Sequence, residues 1–283
     1  MTTLEQKTIL SDWFGSLQGR ICKALESIEQ DFQADANLSP CHFDFKSWRR
    51  DASVDGGGGT MGLMRGSVFE KAGVNVSTVY GEFPPEFQSH IPGASKDPRF
   101  WASGLSLVIH PRNPFVPTVH MNTRHIETTV GWYGGGADLT PTFEFEDDTK
   151  DFHTAMKKAC DAHGPDDYAH FKKWCDEYFY LPHRGEARGV GGIFYDNLNT
   201  GNFDHDFAFT KDVGEAFLKI YPEIVRRRMH TPWTEEDRKK QYAKRGRYVE
   251  FNLMYDRGTL FGLKTGGNVE AILMSLPPMA SWV

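Results

Sequence analysis

The chain has 283 residues, enough for one large domain or two small ones, and its 39% hydrophobic and 25% charged residues are ordinary for a globular protein. A net charge of −6, from 32 basic and 38 acidic residues, argues against a general nucleic-acid binder, which needs basic surface to neutralise phosphates. Four cysteines without a C-x-x-C pair, no run of about 18 apolar residues, and charges in MTTLEQKTILSDWF where a signal peptide would be apolar imply a cytoplasmic protein without an integral membrane segment.

The first segment reads as a helix over about 3–33, because Leu10, Phe14, Leu17, Ile21, Leu25, Ile28 and Phe32 recur at steps of four and three. Asn37 to Pro40 breaks it. A β-rich region over about 42–145 comes next. HFDFKSW alternates, and DGGGG reads as a turn or mobile loop and a candidate lid. MGLMRGSVFEKAGVNVSTVYGEF gives strand pieces, SGLSLVIHP a buried strand closed by Pro111, and VPTVHMNTRHIETT a longer alternating stretch after which GWYGGGADLTP turns away. The middle, about 146–245, is helical. EDDTKDFHTAMKKACDAHG, PDDYAHFKKWCDEYFYLPH and FDHDFAFTKDVGEAFLKIYPEIVRRR are helix patterns, with the glycine-preceded strand GVGGIFYDNL among them. TEEDRKKQYAKRG opens with a capping box, Thr234 to Asp237. Over about 247–283, RYVEFNLMYDRGTLFGL reads as two strands joined at Asp256-Arg257-Gly258. No regular β-α-β alternation, repeat or linker occurs, so the simplest account is a single α+β domain, a large antiparallel β-sheet flanked by α-helices.

Side chains two apart on a strand share a face. Ser106, Val108 and His110 therefore point one way, and His120, Asn122 and Arg124 share a face, with Met121 and Thr123 on the other. If the two strands pair, these polar residues form one patch. It is either a solvated sheet face or a covered site, and in the second case Arg124 needs an anionic partner, for which a carboxylate suits its planar guanidinium. The three glycines of GWYGGGADLTP allow close approach of backbone to a ligand, and Asp138 after them is a site carboxylate or a turn residue. His153 and His183 taken singly read as structural. His42 and Asp44 make a short H-x-D pair of the kind used by non-haem iron sites. No G-x-G-x-x-G opening a helix, Gly-Lys-Ser/Thr, G-x-S-x-G or H-E-x-x-H is present. Spacing alone yields a candidate anion pocket and no reaction.

The residues in order say more. GVNVSTVYGE, GLSLVIHPRNPFVPTVHMNTR, GGGADLTP, KKWCDEYFYLPHRGEARGVGGIFYD, RGRYVEFNLMYDRGTLFGLKTGG and EAILMSLPP resemble the oxygen-dependent coproporphyrinogen III oxidases over about Trp48 to Pro278. The resemblance implies the fold of that family and conversion of the ring A and B propionates of coproporphyrinogen III to vinyls, with one O2 used and one CO2 released at each. It implies His120, Asp138 and Arg124 as catalytic residues, with Asp138 facing the pyrrole nitrogens. Ser106, Asn122, Thr123, Arg124, Gly266, Gly267 and Asn268 are implied to contact substrate. His110, His120, His153 and His183 match positions assigned to a divalent metal such as manganese. No organic cofactor is implied, since an electron-rich porphyrinogen itself supplies electrons to O2.

Three departures stand out. Between Arg124 and GGGADLTP this chain carries only HIETTVGWY, which implies a tight hairpin; Asn268 replaces a commoner Arg; and the sequence stops at Val283, soon after MSLPP. The resemblance also implies a homodimer, formed through Tyr248 to Gly262 and the residues C-terminal to them. Two other readings are a histidine-metal oxidase or hydrolase acting on another acidic molecule, tested by dialysis against a chelator, and a tetrapyrrole carrier that binds without releasing CO2.

Overall fold

A computed structural model describes residues 2–32, 41–50, 55–164, 167–264 and 266–282. The helix break at Asn37 to Pro40 lies outside them. Helix α1 spans Leu4–Asp31 and opens with a capping box, Thr3 with Gln6. Leu10, Phe14, Leu17, Ile21, Leu25 and Ile28 are buried along one stripe, as the periodicity predicts. Gln18 ties that stripe to the sheet by donating to the carbonyls of Thr60 and Val74.

The strands are β1 (Asp44–Arg49), β2 (Gly57–Met64), β3 (Phe69–Glu82), β4 (Arg99–Pro111), β5 (Thr118–Glu127), β6 (Gly131–Thr140), the short pair β7 (Tyr180–Leu181) and β8 (Glu186–Ala187), and β9 (Gly191–Leu198). Seven form one sheet in the order β1-β2-β3-β4-β5-β6-β9, and every neighbouring pair is antiparallel. A one-turn helix α2 (Pro85–Gln88) lies between β3 and β4. The other helices are α3 (Glu146–Asp161), α4 (Asp167–Tyr178), α5 (Phe203–Arg228), α6 (Glu235–Met254), α7 (Arg257–Lys264) and α8 (Val269–Leu273).

One face of the sheet carries Leu105, Leu107, Ile109, Val119, Met121, Ala137, Leu139, Ile193 and Tyr195 into a core shared with α1, α3 and α5. Burying each of the larger apolar side chains among these contributes about 1.5–3 kcal/mol, which makes this face the foundation of the fold. Helix α4 runs along the β9 edge, touching Tyr195 through Phe171 and Phe194 through Trp174 and Tyr178. The opposite face is partly covered by α6 and by the segment around α8. The latter is held on carbonyl oxygens: Asn75 donates to Ala271, Lys71 to Leu276 and His110 to Ser275.

Three sequence expectations are corrected. The glycines of DGGGG from Gly57 onward belong to β2 rather than to a turn or lid. A Cβ on Gly58 would lie 2.1 Å from the Trp48 carbonyl oxygen, and one on Gly59 2.3 Å from that of Val76, so the crowding comes from backbones on either side. GWYGGGADLT is strand β6, and the tight hairpin before it turns at Thr128 to Val130. The C-terminal strands are helices: α6 continues through Tyr248, Phe251 and Asn252, buried at helical spacing with Gln241 and Arg245, and Asp256 caps α7 by accepting from the Thr259 backbone. Asp-Arg-Gly thus starts a helix, because an Asx side chain satisfies a helix N-terminus as readily as it shapes a hairpin.

Candidate active site

On the face away from the core, Ser106 pairs across strands with Asn75 and Asn122, Val108 with His120, and Gly104 with Arg124. On the other side His120 pairs with Asp138, Asn122 with Gly136 and Arg124 with Gly134. The β4–β5 pairing thus gathers Ser106, His120, Asn122 and Arg124, and β6 adds Asp138. Ser106 is exposed, and His120 and Arg124 keep 15% and 28% of their side-chain surface open, so the patch faces outward beside covered ground. Thr123 is fully buried on the opposite face, so its side chain is not brought to the patch.

A single hydrogen-bonded chain links these groups. Asp138 Oδ1 accepts from His120 Nδ1 at 2.9 Å, and Asn122 Nδ2 lies 3.1 Å from His120 Nε2. Arg124 Nη1 donates to Asn122 Oδ1 at 3.0 Å, and Arg124 Nη2 pairs with Asp196 Oδ1 at 3.0 Å. Because a guanidinium only donates, Asn122 must turn its oxygen to Arg124 and its NH2 to His120. Nε2 is then an acceptor, and the imidazole is the Nδ1–H tautomer that a carboxylate below it also demands.

Asp138 itself is 1% exposed. Arg188 Nη2 donates to both of its oxygens, at 2.9 and 2.8 Å, and Arg188 is 2% exposed. The guanidinium lies over the rings of Phe179, Tyr248 and Phe251, at 4.0, 4.5 and 4.6 Å. Burial would raise the Asp138 pKa, but the Arg188 charge and the His120 hydrogen bond outweigh it and hold the carboxyl below its ordinary range. Burial likewise opposes the Arg188 charge, and Asp138 overcomes it. Both Asp138 oxygens are therefore engaged within the protein, beneath His120. The expected orientation toward pyrrole N–H groups on the open face is not the one found.

Sequence reasoning misses Arg188. Its signal is indirect: a carboxylate on a covered strand demands a cation, and the ARG before GVGG is one of several candidates. The β7–β8 hairpin presents it, anchored when Glu250 accepts from both Arg184 and His183.

Gly266, Gly267 and Asn268 lie between α7 and α8. Asn268 caps α8 by accepting from Ala271 N. Since Asn75 holds Ala271 and also pairs with Ser106, this segment borders the patch.

The four histidines expected to share a metal do not converge, and among the described residues no group of three or more His, Cys, Asp and Glu is placed to hold one. His110 is fully buried, with Nε2 on the Ser275 carbonyl; burial, with Arg245 adding to it, holds it neutral far below the ordinary histidine pKa. His153 meets the Val190 carbonyl and the Tyr168 hydroxyl, and His183 meets Glu250 and the Tyr255 hydroxyl. His153 and His183 each spend both ring nitrogens on protein partners, and although His110 Nδ1 is left without one, it is buried on a separate element, so the four residues do not fit one ion. His42 stands near Glu26, exposed.

An imidazole seated on a buried ionised carboxylate, sharing an open sheet face with a guanidinium, brings together the groups that acid–base chemistry on an anionic substrate uses. The chain belongs to the coproporphyrinogen III oxidase family, whose model matches residues 9–283. It is 58% identical over 275 residues to the oxygen-dependent coproporphyrinogen-III oxidase of Rickettsia akari, covering 97% of this chain and 98% of that protein. Similar proteins of the same description occur in Rickettsia conorii, at 57% over 275 residues covering 97% and 98% of the two chains, and in Rickettsia bellii, at 55% over 278 residues covering 98% and 99%.

Proposed function

We infer that the chain catalyses oxygen-dependent oxidative decarboxylation of the ring A and B propionates of coproporphyrinogen III to vinyl groups, giving protoporphyrinogen IX in haem biosynthesis. The observation that carries the roles of its residues is the chain Arg188–Asp138–His120–Asn122–Arg124, ordered from a buried ion pair to an open guanidinium.

At each propionate a β-carbon hydrogen leaves as a proton and CO2 departs from the neighbouring carbon. Two of the four electrons released form the new double bond, and two reduce O2, which takes that proton and another from solution to give hydrogen peroxide. Arg124 has three of its five N–H groups without a partner among the described residues, enough to grip a substrate carboxylate. His120 Nε2 takes up the proton once the Asn122 amide that donates to it turns away, and passes it to the reduced oxygen, while Asp138 fixes the tautomer and stabilises the imidazolium formed in between. Asp138 thus acts through His120. No organic cofactor takes part in this reading, since the porphyrinogen itself supplies the electrons. We place the reaction in the cytoplasm, in keeping with four unpaired cysteines; no helix among the described residues is long and apolar enough to cross a membrane. We also propose a homodimer through the helical C-terminal region, where Leu253, Met254 and Val269 are 44%, 51% and 54% exposed.

Coproporphyrinogen III prepared without air, mixed with the protein and then aerated, tests the function. Chromatography of the oxidised products should show protoporphyrin IX. Recovery of coproporphyrin alone, with no CO2, would end this reading.

A further inference from the structure

Strands β6 and β9 keep regular register except at one place. Tyr133 pairs with Leu198 and Gly135 with Tyr195, so Asp196 and Asn197 together oppose Gly134. This is a β-bulge, a device that re-aims side chains next to active sites. Its strained member is Asn197, at φ 54°, and it is the one non-glycine residue with positive φ among the described residues. Asparagine tolerates that conformation, and here Asp196 Oδ1 steadies it by accepting from Asn197 N at 3.0 Å. The same oxygen forms an ion pair with Arg124 Nη2 at 3.0 Å.

Arg124 and Asp196 stand on β5 and β9, with β6 between them. They meet because the intervening residue has no side chain. A Cβ on Gly134 would lie 2.7 Å from Asp196 Oδ1 and 2.8 Å from Arg124 Nη2. The first of the three consecutive glycines therefore opens a gap through which an ion pair crosses a strand. Asn122 holds one end of the guanidinium and Asp196 the other.

We propose that Asp196 is a positioning residue, locking the Arg124 guanidinium across the Gly134 gap so that its remaining N–H groups face a substrate carboxylate. The proposal rests on the porphyrinogen reading of the site. Two effects of Asp196 compete: its negative charge repels an incoming carboxylate, while its oxygen pre-orders a side chain that otherwise samples many rotamers. Both partners are partly exposed, at 28% and 17%, so solvent screens the repulsion and ordering wins.

The test titrates coproporphyrin, which is unreactive, and its tetramethyl ester, which has no carboxylate, by fluorescence in dilute detergent. Asp196→Ala should weaken coproporphyrin binding roughly two- to tenfold, the effect of freeing one long side chain, and leave the ester unchanged. Gly134→Ala should do the same by wedging the pair apart. Asp196→Asn, which keeps an accepting oxygen, should recover most of the loss. Tighter or unchanged coproporphyrin binding by Asp196→Ala, or equal loss for acid and ester, would overturn the proposal. Binding of neither porphyrin by the unaltered protein would overturn the substrate reading, and this proposal with it.

Discussion

Replacing Arg188 by Met should be among the most damaging single changes outside the open face. Arg188 and Asp138 are 2% and 1% exposed; one guanidinium nitrogen donates to both carboxylate oxygens, and Oδ2 has no other partner among the described residues. Removing one partner of such a pair strands a charge away from water and costs about 3–5 kcal/mol. Met fills the aromatic cage of Phe179, Tyr248 and Phe251 about as well as the arginine stem does, so the loss is electrostatic rather than a cavity. At roughly 2 °C per kcal/mol for a chain of this size, thermal unfolding should fall by roughly 6–10 °C. Asp138→Asn in the same molecule removes the stranded charge, and the double variant should regain more than half of that loss. Melting followed by circular dichroism at one scan rate decides it. A single variant that melts within about 1 °C of the parent, or a double variant no more stable than the single, would refute the reasoning.

Other buried groups give further expected outcomes. Burial holds His125 at about 4, so it stays neutral when folded. Unfolded, it protonates near pH 6.5, so its contribution is complete above about pH 6.5 and lost as the solution is acidified toward about pH 4, at up to about 1.4 kcal/mol per pH unit. Urea midpoints at about pH 5 and pH 6.5 should therefore converge in His125→Phe, and an unchanged difference would contradict this. Equilibrium dialysis against manganese should show no stoichiometric site built from His110, His120, His153 and His183; micromolar binding abolished by His110→Ala would restore the metal. Light scattering should give a dimer mass that Leu253→Glu with Val269→Glu reduces to a monomer, whereas a monomeric parent would rule out the proposed assembly.

Much of this geometry was legible in sequence because β-structure has a period of two. The alternation of His120, Asn122 and Arg124 against Met121 and Thr123 gave the shared face directly, and the structure also buries Thr123, as parity demands. Helices α1 and α5 were equally readable from apolar spacing. The glycine runs were not. Glycine signals either a turn or a place where strands crowd, and only the neighbours distinguish the two; at Gly58 and Gly134 the neighbours are Trp48, Arg124 and Asp196. The C-terminal helices are hidden in the sequence because RYVEFNL satisfies both periods over so short a window, and α6 declares itself only when Arg238, Gln241 and Arg245 are counted with it. Arg188 and Asp196 were invisible for a different reason. Each acts through a partner distant in the chain, and a single sequence carries no mark of that pairing.

The central claim is that His120 moves the proton and Asp138 works by holding it. Single-turnover rates of His120→Gln, Asp138→Asn and the double variant, measured on folded protein with saturating coproporphyrinogen III, test it most directly. The account predicts a fall of roughly 100-fold or more in each single variant, since a positioned acid–base group contributes 10²–10⁴-fold, and little further loss in the double. A near-parental rate for Asp138→Asn, or losses that multiply in the double variant, would contradict it.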